Sequence, residues 1–169
     1  MPKKYVLTTQ TLSTSSITVL YQIQALIGIP NVCKKGDLGG WIQSEKNLSQ
    51  KNFCWVSGNA QVSGNAYVSG NAWVYGKAHV FGYAQVSGNA QVWGDAHVWG
   101  NAQVYGNAHV YGNAQVWGEA HVYVPIDFNC DFDPWNELNE ILKVKENLPR
   151  LLGLSNNFDK IIEQKLKAH

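Results

Sequence analysis

Four histidines, His79, His97, His109 and His121, are the side chains of this sequence best suited to chemistry, since a neutral imidazole can act as a general base or bind a metal. Each one immediately precedes a valine. The same place is filled elsewhere by Gln85, Gln91, Gln103 and Gln115, so it asks for a polar residue rather than for an imidazole. His79 and His97 could share a metal, but two neutral imidazoles without a carboxylate make a poor site. Cys33, Cys54 and Cys130 match no zinc motif, and three cysteines fit a reduced, cytoplasmic chain better than a disulfide framework. The glycines of Gly36-Asp37-Leu38-Gly39-Gly40 could cradle a phosphate, yet the phrase lacks the Gly-Lys-Ser/Thr ending and the helix that such a loop needs. These residues weigh against catalysis and call for no cofactor and no metal ion.

The element that positions the histidines is a repeat. From Val56 to Tyr123 the phrase Val-x-Gly-Asn-Ala-x recurs almost without interruption, with Val at every sixth position from Val56 through Val122. A fixed short period predicts a solenoid, whose coils are each too thin to bury an apolar side alone. Ala and Val alternate with the residue between them, so both point inward while the residues flanking Val point outward. Gly-Asn supplies the corner, because Gly accepts positive φ and Asn tolerates it.

The spacing resembles that of three-sided hexapeptide-repeat proteins, and the three phrases per coil which that resemblance implies place residues eighteen apart one above the other, at about 4.8 Å. The position after Val then yields three outward columns. The first holds Ser57, Tyr75, Trp93 and Tyr111; the second Ser63, Phe81, Trp99 and Trp117; the third Ser69, Ser87, Tyr105 and Tyr123. Eight aromatic rings should therefore form ladders on the outside. His79 should lie beneath His97, Lys77 beneath Asp95, and Asn71, Asn89 and Asn107 should align as an amide ladder. The Val and Ala interior is too narrow for a ligand.

The spacing resembles that of the hexapeptide-repeat proteins, which implies a three-sided left-handed parallel β-helix. Acyltransferases of that fold use a histidine between subunits of a trimer, which by resemblance would make His79 or His97 the base; the loop that such enzymes insert to hold the acceptor is missing here. The related γ-class carbonic anhydrases bind zinc through three histidines, two of them separated by four residues, and no such pair occurs in this sequence. The phrase Gly36-Asp37-Leu38-Gly39-Gly40-Trp41 ahead of Gly-Asn-Ala repeats is similar to a group of such proteins common in bacteriophages and prophages. That resemblance spans roughly Tyr5 to Tyr123 and carries no catalytic residue onto this chain.

Projected backward, the six-residue register puts Leu38 in a Val place, Gly40 in a Gly place, and Ile42, Leu48 and Cys54 in Ala places. Residues 38–55 are then one eighteen-residue coil of degenerate sequence. Before it, Tyr5–Thr8 and Ile17–Ile27 read as two strands joined through Thr11–Ser16, an N-terminal hairpin cap. After Tyr123 the period stops at Val124-Pro125. Asp133-Pro134 opens a helix with Trp135, Leu138, Ile141 and Leu142 on one face, and a second helix gathers Phe158, Ile161, Ile162 and Leu166. Both are read as assembly elements. The expected organisation is a cap and loop over 1–37, a β-helix over 38–124, and a helical appendage over 125–169.

Formal charge is +1, divided as +4 over 1–55, −1 over 56–122 and −2 over 123–169. No segment is basic enough for a nucleic-acid site. The start has no signal-peptide pattern, and the apolar stretch Ile17–Ile29 is too short and too polar to span a membrane. Contiguous exposed aromatic surface marks interfaces. The sequence therefore predicts a cytoplasmic, non-catalytic binding protein of phage or prophage type, a homo-oligomer with a trimer favoured, that docks a protein through its ladders. A host or antiviral defence protein is the expected target. The alternatives are an acyltransferase using His79 or His97 and a sponge that stacks a nucleotide base between subunits.

Overall fold

A computed structural model describes residues 2–14 and 18–123, and the backbone of Asp127–Phe128. It begins with strands β1 (Tyr5–Ser13), β2 (Val19–Ala25) and β3 (Leu38–Ile42). Twelve two-residue strands follow at six-residue intervals, from β4 (Trp55–Val56), β5 (Gln61–Val62) and β6 (Tyr67–Val68) to β15 (His121–Val122), and β16 is Asp127–Phe128. Every third strand pairs in parallel, so that His79 is opposite His97, Gln91 opposite His109 and Gln85 opposite Gln103. The result is a parallel β-solenoid of about five turns with three sheets as its sides. Its only helical element among the described residues is a 3-10 turn at Glu45–Asn47.

The repeat explains this directly. Each inner Val and Ala from Ala60 to Val110 is buried, in a single core that runs the length of the coils. Burial of one such Val contributes roughly 1.5 to 3 kcal/mol. The corner glycines all take positive φ, 63 to 72° from Gly58 to Gly118. Beside them the Asn71, Asn89 and Asn107 amides bond in sequence at 3.1 Å, as the spacing predicts. Lys77 approaches Asp95 at 3.8 Å, an exposed pair of small energetic weight.

The N-terminal strands depart from expectation. β1 runs on through Thr11, Leu12 and Ser13, the stretch read as a connection, because alternating Thr and Leu suit an extended chain. It pairs antiparallel with β2, and β2 pairs antiparallel with β3, adding two strands to one parallel sheet.

The first coil also corrects the projected register. Ile42 lies opposite Val62 and Leu48 opposite Val68, so both stand in Val places, twenty residues below their partners rather than in Ala places. Gly40 sits against Ala60 instead of turning a corner, and a Cβ there would come within 2.8 Å of the Ala60 carbonyl oxygen and of the Val56 side chain. Leu38 is exposed, not inward. By Trp55, opposite Trp73, the offset is eighteen again, and Cys54 is buried as expected.

The two extra residues lie in the corner between Ser49 and Cys54, where Asn52 takes φ 56°. That wide corner closes around Lys4, which is buried, its ammonium donating to the carbonyls of Cys54 at 2.8 Å and of Lys51 and Asn52 at 3.4 Å. A buried cation is tolerated only when so satisfied. At the other end, β16 pairs with β13 (His109–Val110), so the ladder carries one short rung beyond the point where the sequence period stops. The helices expected around Trp135 to Leu142 and Phe158 to Leu166 lie outside the described residues, as does Cys130.

Candidate functional site

Because Val points inward in every short strand, its two neighbours point out, and the strand register sets which side chains stack. All eight aromatic residues of the three columns meet as the spacing predicts. Tyr75, Trp93 and Tyr111 stack with ring centroids 5.5 and 4.7 Å apart and planes within 7°. Phe81, Trp99 and Trp117 stack at 5.7 and 6.3 Å, and Tyr105 and Tyr123 at 5.5 Å. Stacked rings turn their faces to each other and their edges to solvent. Tyr75, Trp93, Trp99, Tyr105 and Tyr111 are accordingly half-buried, whereas Trp117, at one end of its column, is 63% exposed. The Tyr75 hydroxyl lies 3.3 Å from Gln91 Oε1, to which it donates, and burial raises its pKa.

The histidines are packing partners of these ladders. His79 and His97 lie with rings 5.0 Å apart. His97 meets Trp99 edge-on at 6.4 Å, His109 meets Trp93 at 5.5 Å, and His121 meets Tyr105 at 6.4 Å. Burial, helped by the neighbouring His97, pushes the His79 pKa down, and Asp95 opposes the shift. Among the described residues no group of three or more His, Cys, Asp or Glu gathers in metal-binding geometry. Cys33 and Cys54 are both free thiols, and burial raises the pKa of each.

Four outward aromatic residues escaped the sequence reading. Trp55, Tyr67 and Trp73 occupy the place before Val, which was read as a Gln and His place, and Tyr83 fills a corner usually held by Asn. The register that found the other eight finds these too when every outward place is read. Trp55 is nevertheless buried, packed edge-on to Tyr5 at 6.4 Å, while Tyr83 is 63% exposed. Trp73 and Tyr75 flank the same valine, Val74, so one side of the solenoid carries rings in both outward places. On that side Val32, from the loop ahead of β3, and Trp73 together line two shallow grooves of about 290 and 320 Å³.

Two stretches of the chain, residues 60–76 and 102–118, match a family model described as the YdcK beta solenoid repeat. The match agrees with the parallel coils described above. The chain is a β-solenoid repeat protein. A search of curated proteins found no match. Among the described residues of this solenoid, no helix is long and apolar enough to cross a membrane.

Proposed function

We propose that this solenoid is a non-catalytic binding protein that docks a protein partner through the exposed ends of its aromatic ladders. The observation that supports the reading is the exposure of Trp117, 63%, at the end of a column whose middle ring is half-buried. Large aromatic residues left open on a rigid surface are the residues that anchor interfaces. Self-association into a trimer is part of the same reading, with one ladder buried between copies and the others left to the partner. The likeness of Gly36–Trp41 to phage and prophage hexapeptide-repeat proteins extends the proposal to a left-handed coil, a cytoplasmic setting, and inhibition of a host or antiviral defence protein.

The test combines native mass with partner capture from a host lysate, for the wild type and for Trp99→Ser and Trp117→Ser. The expected result is a trimer that retains a protein in stoichiometric amount, with Trp117→Ser losing the trimer, the retained protein, or both. If neither substitution changes mass or capture, the ladders serve packing alone and the reading fails.

A further inference from the structure

The ladder of Tyr75, Trp93 and Tyr111 stops one rung short. The position beneath Tyr75 in the same column is Ser57, whose amide bonds to the Val74 carbonyl at 2.9 Å, so the coil is continuous where the ring is not. Trp93 covers one face of Tyr75 at 5.5 Å. Among the described residues no ring covers the other. Against that face lies the groove of about 290 Å³, floored by Ser57 and walled by Trp73, Trp55 and, from the loop ahead of β3, Asn31 and Val32. Its volume is at the lower end of the range for small-molecule sites.

We propose that this vacant rung binds an uncharged purine base or nucleoside, which completes the ladder by stacking under Tyr75. Three observations lead to that class. The stack that Tyr75 ends holds its planes within 7°, so a flat ring laid on the open face of Tyr75 continues it in register. The walls are apolar or aromatic and no charged side chain lines them, so a phosphate or carboxylate would enter without a counter-charge. Besides the Trp55 and Trp73 ring N–H groups and the Tyr75 hydroxyl, the polar groups are the Asn31 amide and the Ser57 hydroxyl, and neither of these two bonds to another described side chain. An amide of this kind matches the adjacent donor and acceptor on an adenine edge. The loop that carries Asn31 is held in place by its own bonds, Ile29 to Cys33 at 2.9 Å and Val32 to Ile29 at 3.0 Å, which makes the site preformed. This site lies at the Tyr75 end of one ladder, in a different column from Trp117, so its failure and the failure of the docking reading are distinguishable.

Calorimetric titration of the full chain with adenosine, guanosine and indole tests it. Adenosine should bind in a one-to-one ratio to each chain. Ser57→Tyr supplies the missing ring from the chain itself, in a place where the same column already carries Tyr75 and Tyr111, and should abolish binding while leaving the circular dichroism unchanged. Trp73→Gln, which installs the residue found one rung above at Gln91, removes the aromatic wall beside the base and should weaken binding by about fivefold or more. Failure of adenosine and guanosine to bind at millimolar concentration overturns the proposal. So does nucleoside binding that survives Ser57→Tyr, and binding of indole alone overturns the purine assignment.

Discussion

In the two three-ring ladders the middle ring has both faces covered and, among the described residues, an end ring has one, so substitutions along a single column should separate stability from recognition. Trp99 stacks on Phe81 and on Trp117, and Trp99→Ser removes both contacts. At about 0.5 to 1.5 kcal/mol per aromatic pair, it should cost roughly 1 to 3 kcal/mol in urea denaturation, and Trp117→Ser about half as much. Equal losses for the two would contradict the stacking account. His79 offers a pH test on the same face. Its folded pKa is lowered by burial and by His97, with Asp95 opposing, so the unfolded chain takes up the proton more readily. The stability it contributes is present above the ordinary histidine pKa of about 6.5 and is lost as pH falls through the lower folded value. The melting temperature should therefore drop on acidification from about pH 7 to pH 5. His79→Gln, a residue the neighbouring rungs accept, should make that drop shallower, and an unchanged profile would remove His79 as its source.

At the scale of the strand and corner, the solenoid depends on how closely successive coils approach. Gly88 takes φ 68°, and a Cβ there would meet the Gly106 nitrogen at 2.8 Å and its carbonyl oxygen at 2.9 Å. That carbonyl already accepts the Asn89 amide at 2.7 Å. An alanine would thus carry both the left-handed strain, about 1 to 2 kcal/mol, and the separation of two coils. Gly118 has the same φ, and no described atom lies within 4 Å of its added Cβ, so there only the strain applies. Gly88→Ala should lower the melting temperature clearly more than Gly118→Ala. The reverse order would show that corner conformation, and not coil spacing, governs the choice of glycine.

For the molecule as a whole, the part that ties chain start to solenoid is the Lys4 ammonium inside the wide corner of the first coil. Lys4→Met leaves the carbonyls of Lys51, Asn52 and Cys54 without their donor and should destabilise by roughly 2 to 4 kcal/mol, measured by chemical denaturation. A change below about 0.5 kcal/mol, the usual size for an exposed lysine, would show that the corner holds its shape unaided. The repeat was legible because each phrase states its own structure: Val and Ala face in, Gly turns, and eighteen residues return the chain to the same side. Together with the three phrases per coil that the resemblance to hexapeptide-repeat proteins implies, the sequence determined the core and the stacking of eight rings. It also held Trp55, Tyr67, Trp73 and Tyr83 in plain register, but gave no sign that Trp55 would be buried against Tyr5. The first coil has no repeat to align, so its register was decided by contacts distant in sequence. The Asn47 amide bonds to the Gly64 and Ala66 carbonyls, the Tyr5 hydroxyl to the Leu48 carbonyl, and Lys4 to the corner that holds two extra residues. The groove beside Trp73 has the same origin, because the loop that brings Asn31 and Val32 to it precedes the repeat and obeys no period. Tertiary structure settled these features because their energies lie between segments from 17 to 50 residues apart, where no local pattern records them.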